Sequence, residues 1–332
     1  MKVMITGIAG FVGYHLATTL AQRGFEISGV DSLTDYYPVS LKKSRLTNLE
    51  SEYQIINFRI NLSNKKHAEK IFQKIRPDVV VHLAAQPGVR LPVDKYFNYV
   101  ENNLLAFFNV ASLTLGNSCK SFLYASSSSV YGNTSNPILD EGTTQTKPIS
   151  FYGSTKLSNE ILADTLFSNS STKALGLRFF TVYGEYGRPD MAYFKILSSL
   201  LTDEPFKLFG DGLAVRDFTY VQDVTNSIRK LIDWTLISQR SSHEIVNIGG
   251  GNPYSMNTMI EVMENITGRK LELIKQPAIN GDVLRTCAST KKLEQMIGSH
   301  PTTQLTEGLE KFISWATADS ILPKFLRNWS QH

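Results

Sequence analysis

The chain has 332 residues, 42% hydrophobic and 19% charged, an ordinary globular composition with enough material for a sizeable core. Its formal net charge of +4 is spread along the sequence, and no block of like charge points to nucleic acid. No apolar run reaches the ~20 residues of a membrane span, and Cys119 and Cys287 stand in no metal or redox spacing, so a soluble cytoplasmic protein without a metal is expected.

Lys2 to Thr6 is a short apolar run. Glycines follow it directly, which predicts a first strand rather than a signal peptide. Gly7-Ile8-Ala9-Gly10-Phe11-Val12-Gly13 leads into a helix with Val12, Leu16 and Leu20 on one stripe, stopped by Gly24. Glu26 to Val30 reads as a second strand ending at Asp31. Strand, glycine turn, helix, strand and acid make the dinucleotide-binding βαβ unit. Gly7, Gly10 and Gly13 let backbone approach a pyrophosphate at the helix N-terminus. Asp31 would accept from the adenosine ribose and repel a 2′-phosphate, which favours NAD over NADP.

Residues 35–46 read as a surface loop running into a helix. Residues 53–62 read as a strand, with Ser63 capping a helix that turns Ala68, Ile71, Phe72 and Ile75 inward. Residues 79–85 form a continuous apolar run, as in a strand buried on both faces of a parallel sheet, and His82 within it reads as a structural, hydrogen-bonded group. Ala84 and Ala85 leave room for a cofactor. The following Gln86-Pro87-Gly88-Val89-Arg90 lies at the carboxyl edge of the sheet, where ligands bind. Arg90 is either an anion contact or a solvated arginine. Residues 96–116 read as one long helix, on which Asn103 is a structural or cofactor-side amide.

Residues 122–125 read as another buried strand, running into Ser126-Ser127-Ser128-Ser129-Val130-Tyr131-Gly132. Four hydroxyls at the end of a central strand are costly to bury idle, so a hydroxyl-rich ligand is their expected partner. A helix over residues 148–167 then carries Tyr152-Gly153-Ser154-Thr155-Lys156. Residues four apart share a helix face, so the Lys156 ammonium can lower the pKa of the Tyr152 phenol. Such a phenol can take a proton from a sugar hydroxyl near neutral pH. Taken alone, the pair also reads as a packed phenol and a solvated amine.

On the glycine spacing, the hydroxyl cluster and the Tyr-x-x-x-Lys pair, the chain resembles the extended short-chain dehydrogenase/reductases of the nucleotide-sugar epimerase and dehydratase group, from its first strand to about Gly308. The resemblance implies a Rossmann fold: a doubly wound parallel α/β sheet with a smaller C-terminal lobe. The NAD-binding domain would span residues 1–180 with returning segments at 218–250, and the nucleotide-sugar lobe residues 181–217 and 251–320. It implies Ser127, Tyr152 and Lys156 as the catalytic triad around a bound NAD that is regenerated in each turnover. Around the cofactor it places Phe11, Val12, Ser32, Asn61, Leu62 and Leu83. Asn103, Ser126 and Phe179 complete that set with the glycines, Asp31, Ala84 and Ala85. A homodimer through a four-helix contact is common in the group.

Within the group, Arg188-Pro189-Asp190-Met191-Ala192, Arg178-Phe179-Phe180-Thr181-Val182-Tyr183-Gly184 and Asp35-Tyr36-Tyr37-Pro38-Val39-Ser40-Leu41-Lys42 are similar to UDP-glucuronate 4-epimerases. The dehydratases' Asp-Glu pair is replaced by Ser128-Ser129, which argues against elimination. A C5 carboxylate gives chemical sense to the rest. Oxidation at C4 makes a β-keto acid that tends to lose carbon dioxide, so the carboxylate has to be held. Arg188, Thr181, Ser128 and Ser129 are the candidate grip, an arginine fork being well shaped for it. Arg188 alternatively makes a loop salt bridge with Asp190 or Glu185. Pro87, Gly88 and Arg90 are further substrate-side candidates. By resemblance Arg216 meets the diphosphate, Asp282 the nucleotide ribose and Arg285 a phosphate. Decarboxylation of UDP-glucuronate, epimerisation of a neutral UDP-hexose and a non-catalytic NAD-bound sensor or scaffold stay open.

Three departures from the group's pattern bear on these expectations. Asn61 replaces an aspartate facing adenine, Ser289 replaces an aspartate and puts helix capping there in doubt, and Glu185-Tyr186 reshapes the substrate loop.

Overall fold

The computed structural model describes residues 1–238, 242–278 and 283–318. Strand and helix alternate from the start: β1 (Lys2–Thr6), α1 (Phe11–Ala21), β2 (Glu26–Asp31), α2 (Val39–Tyr53), β3 (Ile56–Arg59), α3 (Lys65–Ile75) and β4 (Val79–His82). A helical run follows, with α4 (Tyr96–Tyr99) and α5 (Ala106–Gly116) joined by a π-helical turn at Val100–Leu105. The sheet resumes with β5 (Ser121–Ser127), α6 (Phe151–Phe167) and β6 (Lys173–Phe179). The chain then passes through β7 (Thr181–Tyr183), α7 (Ala192–Thr202), β8 (Phe206–Phe209), β9 (Val215–Tyr220) and α8 (Val221–Ile237). It ends with β10 (His243–Ile248), β11 (Pro253–Ser255), α9 (Met256–Thr267), β12 (Leu273–Gln276), α10 (Lys291–Ile297) and α11 (Leu305–Ala318).

The central sheet has seven strands in the order β10-β6-β5-β4-β1-β2-β3, and every pair is parallel. Strand order reverses between β1 and β4, the topological switch point at which α/β sheets open a crevice. Alternation along the strands divides the core. Val3, Ile5, Val79 and Val81 pack with α1 and α8 on one face. Met4, Val80, Phe122 and Tyr124 pack with α3, α5 and α6 on the other. A second core, built on Tyr193, Phe194, Leu197 and Phe312, joins α7, α9 and α11 into the smaller lobe. No described helix is long and apolar enough to cross a membrane.

Several expected boundaries move. Tyr53 closes α2, and β3 is only Ile56–Arg59. Asn64 caps α3 by accepting from His67 N at 3.1 Å, while the Ser63 hydroxyl donates to Asn61 Oδ1 at 2.9 Å. β4 stops at His82, and Gly7 passes close to the chain just beyond it: a Cβ on Gly7 would lie 2.7 Å from Ala84 N. α6 starts at Phe151, since Ser150 Oγ accepts from Gly153 N at 3.0 Å. Residues 35–46 are only partly surface: Asp35, Ser40 and Lys43 are exposed, but Tyr37, Leu41, Lys42 and Arg45 are buried, Arg45 at 0% exposure.

Candidate active site

A cavity of about 880 Å³ lies along the carboxyl ends of the strands, between the sheet and the smaller lobe. Its first half is built by the glycine turn. Gly7 has φ +71°, which favours glycine, and a Cβ on Gly13 would sit 2.2 Å from Gly7 O. The backbone is therefore open where α1 begins, and the helix N-terminus faces a site for anionic groups. Asp31 accepts from Ala9 N at 3.0 Å and Leu33 N at 2.8 Å, which fixes the carboxylate at the end of β2. A carboxylate has further lone pairs for ribose hydroxyls. Phe11, Val12, Ser32 and Leu62 line this half, and Leu83, Ala84, Ala85 and Phe179 border it towards the triad. The cradle of glycines, the fixed acid and the small residues fit NAD.

Of the residues expected around the cofactor, one lines the cavity with its side chain already engaged and one lies off it. Asn61 lines the cavity, but its Oδ1 accepts from both Ser63 N and the Ser63 hydroxyl, so its carbonyl is already engaged. Asn103 is 1% exposed and does not line the cavity. Its Oδ1 accepts from Gln86 N at 2.7 Å and its Nδ2 donates to Thr155 Oγ1 at 3.1 Å, tying the loop after β4 to the helix that carries Tyr152.

The other half holds Ser127, Ser128, Ser129, Tyr152 and Lys156, with Pro87, Gly88, Arg90, Thr181, Arg188 and Arg216 around them. Ser127 ends β5 and accepts from Ser129 N at 3.1 Å, so the hydroxyl cluster turns sharply at the strand end. Lys156 Nζ donates to Ala125 O at 2.9 Å and lies 5.8 Å from the Tyr152 ring centroid. Burial pulls the Lys156 pKa down to about 8. Burial also raises the Tyr152 phenol, and what counters it is the Arg188 charge and a hydrogen bond with Ser127. Arg188 is thus a further charge acting on the Tyr152 phenol, beside Lys156.

Arg188 makes the loop salt bridge and lines the cavity at once: Nε donates to Asp190 Oδ1 at 3.0 Å and Nη2 to Oδ2 at 2.5 Å. Arg285 lies off the cavity, with Nε donating to Pro137 O at 3.3 Å. Asp282 falls outside the described residues. His82 has the structural role expected of it. Its Nδ1 shares a 2.8 Å hydrogen bond with the Thr6 hydroxyl, and burial lowers its pKa to about 3.

Sequence reasoning missed three supports. Glu160 and Arg178 form a buried fork-to-fork pair beneath the serine cluster, and Ser126 Oγ donates to Glu160. Arg178 amid an apolar strand and Glu160 one turn after Lys156 were the available signal, because a buried charge needs a partner. Arg45 reaches from α2 to Ala9 O at 2.7 Å and Tyr186 O at 2.6 Å, joining the glycine turn to the substrate loop. Tyr36, in the loop after β2, donates to Asp190 Oδ2 at 3.4 Å. The Glu185-Tyr186 departure has a visible consequence. The Tyr186 ring packs 4.7 Å from Trp315 and 4.8 Å from Tyr14, and Glu185 accepts from the Tyr220 hydroxyl at 2.8 Å, so this loop is anchored on α1 and α11. Beside Ser289, Thr290 at the start of α10 makes no side-chain capping bond to a backbone N–H, and its hydroxyl donates to Glu294 Oε1 at 2.6 Å.

A seven-stranded Rossmann sheet with a Ser, Tyr, Lys cluster at its switch-point cavity defines a nucleotide-dependent oxidoreductase-type enzyme, and comparison makes the class definite. The chain belongs to the NAD dependent epimerase/dehydratase family, whose model matches residues 3–249. It is 33% identical to the UDP-glucuronate 4-epimerase of Thermodesulfobacterium geofontis, over 98% of each chain. The crystal structure of UDP-glucuronic acid 4-epimerase from Bacillus cereus in complex with UDP-glucuronic acid and NAD superposes with a TM-score of 0.87 at 32% identity, covering 96% of this chain and 99% of that one. UDP-glucose 4-epimerase from Thermotoga maritima superposes with a TM-score of 0.85 at 26% identity, covering 95% and 98%.

Proposed function

We propose that this protein interconverts UDP-glucuronate and UDP-galacturonate by NAD-dependent inversion at C4. The observation that carries the reading is Arg188: a guanidinium shares one cavity with Ser127, Tyr152 and Lys156, as a substrate with a sugar carboxylate requires. The likeness to UDP-glucuronate 4-epimerases supports the same choice.

Tyr152, as its phenolate, takes the proton of the sugar 4-hydroxyl, and the Ser127 hydroxyl bonds to the same oxygen and shares the proton. NAD, when bound, would supply a reversible hydride acceptor for C4, leaving no net oxidation. Lys156 would hold the nicotinamide ribose, which keeps a positive charge near the phenol. Ser128, Ser129, Thr181 and Arg188 hold the carboxylate while C4 is a ketone, which suppresses loss of carbon dioxide. Arg216 meets the diphosphate. Asn103 positions Tyr152 by bracing Thr155. The Ser127, Tyr152, Lys156 set is intact, which separates this reading from a non-catalytic scaffold.

Incubating the purified protein with UDP-glucuronate and resolving the products by chromatography tests the proposal. UDP-galacturonate is expected, and Tyr152→Phe is expected to lower turnover by roughly 10²-fold or more. A pentose product would replace epimerisation by decarboxylation. Turnover of UDP-glucose but not UDP-glucuronate would assign a neutral sugar. Full turnover by Tyr152→Phe would remove the phenol from the mechanism.

The chain is further proposed to act as a homodimer in the cytoplasm. Phe97, Val100, Leu105 and Phe108 on the α4–α5 run and Ile161 on α6 remain exposed, on helices that pack together. A second copy offering the same face would cover it. Cys119 and Cys287 are both free, as a reducing compartment would keep them.

A further inference from the structure

Arg188 and Asp190 stand in the loop between β7 and α7, and their side chains are 23% and 19% exposed. Asp190 takes the Nε and Nη2 donors of the guanidinium. Among the described residues Nη1 has no protein hydrogen bond. Burial works against the charge on both groups, yet Arg188 holds the Asp190 carboxyl below its ordinary value and Asp190 holds the guanidinium charged. Tyr36 closes the group from the loop after β2: its hydroxyl donates to Asp190 and its ring lies 5.9 Å from the guanidinium. The cavity wall therefore presents a nearly neutral pair with one open donor edge.

We propose that Asp190 sets how strongly the substrate's carboxylate is gripped, by claiming one edge of Arg188 and most of its field. The inference rests on the reading of Arg188 as the carboxylate contact. An uncompensated guanidinium in a low-dielectric cavity would hold that carboxylate tightly in every state. Binding ground state and transition state alike lowers KM without raising kcat. During epimerisation the 4-keto sugar turns its other face to the hydride, and a carboxylate on C5 has to exchange contacts within its ring of donors, without leaving it, as the sugar turns. The Asp190 carboxylate keeps that exchange small in free energy. It acts through Arg188 and is a positioning and specificity residue.

The test uses the full chain with NAD bound. For Asp190→Asn, the KM for UDP-glucuronate is expected to fall about fivefold, kcat to fall at least as much, and competitive inhibition by UDP-glucose to shift less than twofold. Asp190→Glu keeps the charge and is expected to hold the wild-type KM. A raised or unchanged KM in Asp190→Asn, an equal shift for UDP-glucose, or an Asp190→Glu variant that matches Asp190→Asn overturns the proposal. Arg188→Met, measured beside them, separates the two readings. If it loses UDP-glucuronate but keeps UDP-glucose while Asp190→Asn changes nothing, only the role of Asp190 falls. If it treats both sugars alike, the carboxylate reading of the site falls with it.

Discussion

The Lys156 ammonium is 3% exposed and bonds to a carbonyl rather than to a carboxylate. Its burial therefore carries a cost while it is charged. The native pKa of about 8 lies below the ordinary 10.5. Between those values the unfolded chain keeps a proton that the native protein has lost, so this residue makes stability rise with pH, by up to about 1.4 kcal/mol per pH unit. Lys156→Met is expected to be more stable than the wild type at pH 7, with the gap closing from pH 8 to 10.5. Denaturant unfolding at a series of pH values reads this, and a gap constant with pH would mean that burial does not govern the group. Tyr152 shows the complementary effect: burial raises the pKa of its phenol, and Arg188 is the charge that opposes burial there. Nothing in the Tyr-x-x-x-Lys spacing pointed to a guanidinium from residue 188.

At the scale of elements, α4, α5 and α6 do two things. Their inner faces carry Phe107, Phe167 and Asn103, which seat the sheet and brace the catalytic helix. Their outer faces carry Phe97, Leu105, Phe108 and Ile161, with Phe97 at 70% and Ile161 at 61% exposure. Single exposed apolar residues are ordinary, but a contiguous set would mark an interface, and this is the face proposed for the dimer. Phe97→Glu with Phe108→Glu is expected to convert a dimer to a monomer in sedimentation velocity at micromolar protein, since each copy would bring two carboxylates to the contact. A wild type that sediments as a monomer under those conditions would show that this face serves something else. The π-helical turn at Val100–Leu105 escapes a sequence reading because residues 96–116 keep one apolar stripe throughout. The turn seats Asn103 against Gln86 and Thr155, partners from other parts of the chain.

Across the whole molecule, the buried His82 and the partly buried His15 shape its response to acid. His15 on α1 donates from Nε2 to Glu185 O at 2.8 Å, and His82 on β4 bonds to Thr6 on β1. Burial lowers their pKa values to about 4 and about 3. As pH falls below the ordinary 6.5, the unfolded chain takes up protons that the native state refuses, and stability is lost. Each group contributes up to about 1.4 kcal/mol per pH unit across its window. The melting temperature is expected to drop steadily from pH 6.5 towards pH 4, and His82→Asn with His15→Gln to flatten that slope. An unchanged slope in the double variant would place the acid sensitivity elsewhere.

What the sequence determined by itself was whatever depends on near neighbours. The glycine turn, Asp31 at a strand end, the alternation that fills both faces of the sheet and the Tyr152–Lys156 spacing are all local patterns, and backbone geometry turns each into a predictable shape. Tertiary structure alone decided which charges meet. Arg45 holds carbonyls at Ala9 and Tyr186, Glu160 holds Arg178, and Tyr36 reaches Asp190. These contacts join distant segments, and no period or spacing encodes them. They form because a charged or polar side chain carried into the interior needs a compensating group, and only the packed chain determines which one lies within reach.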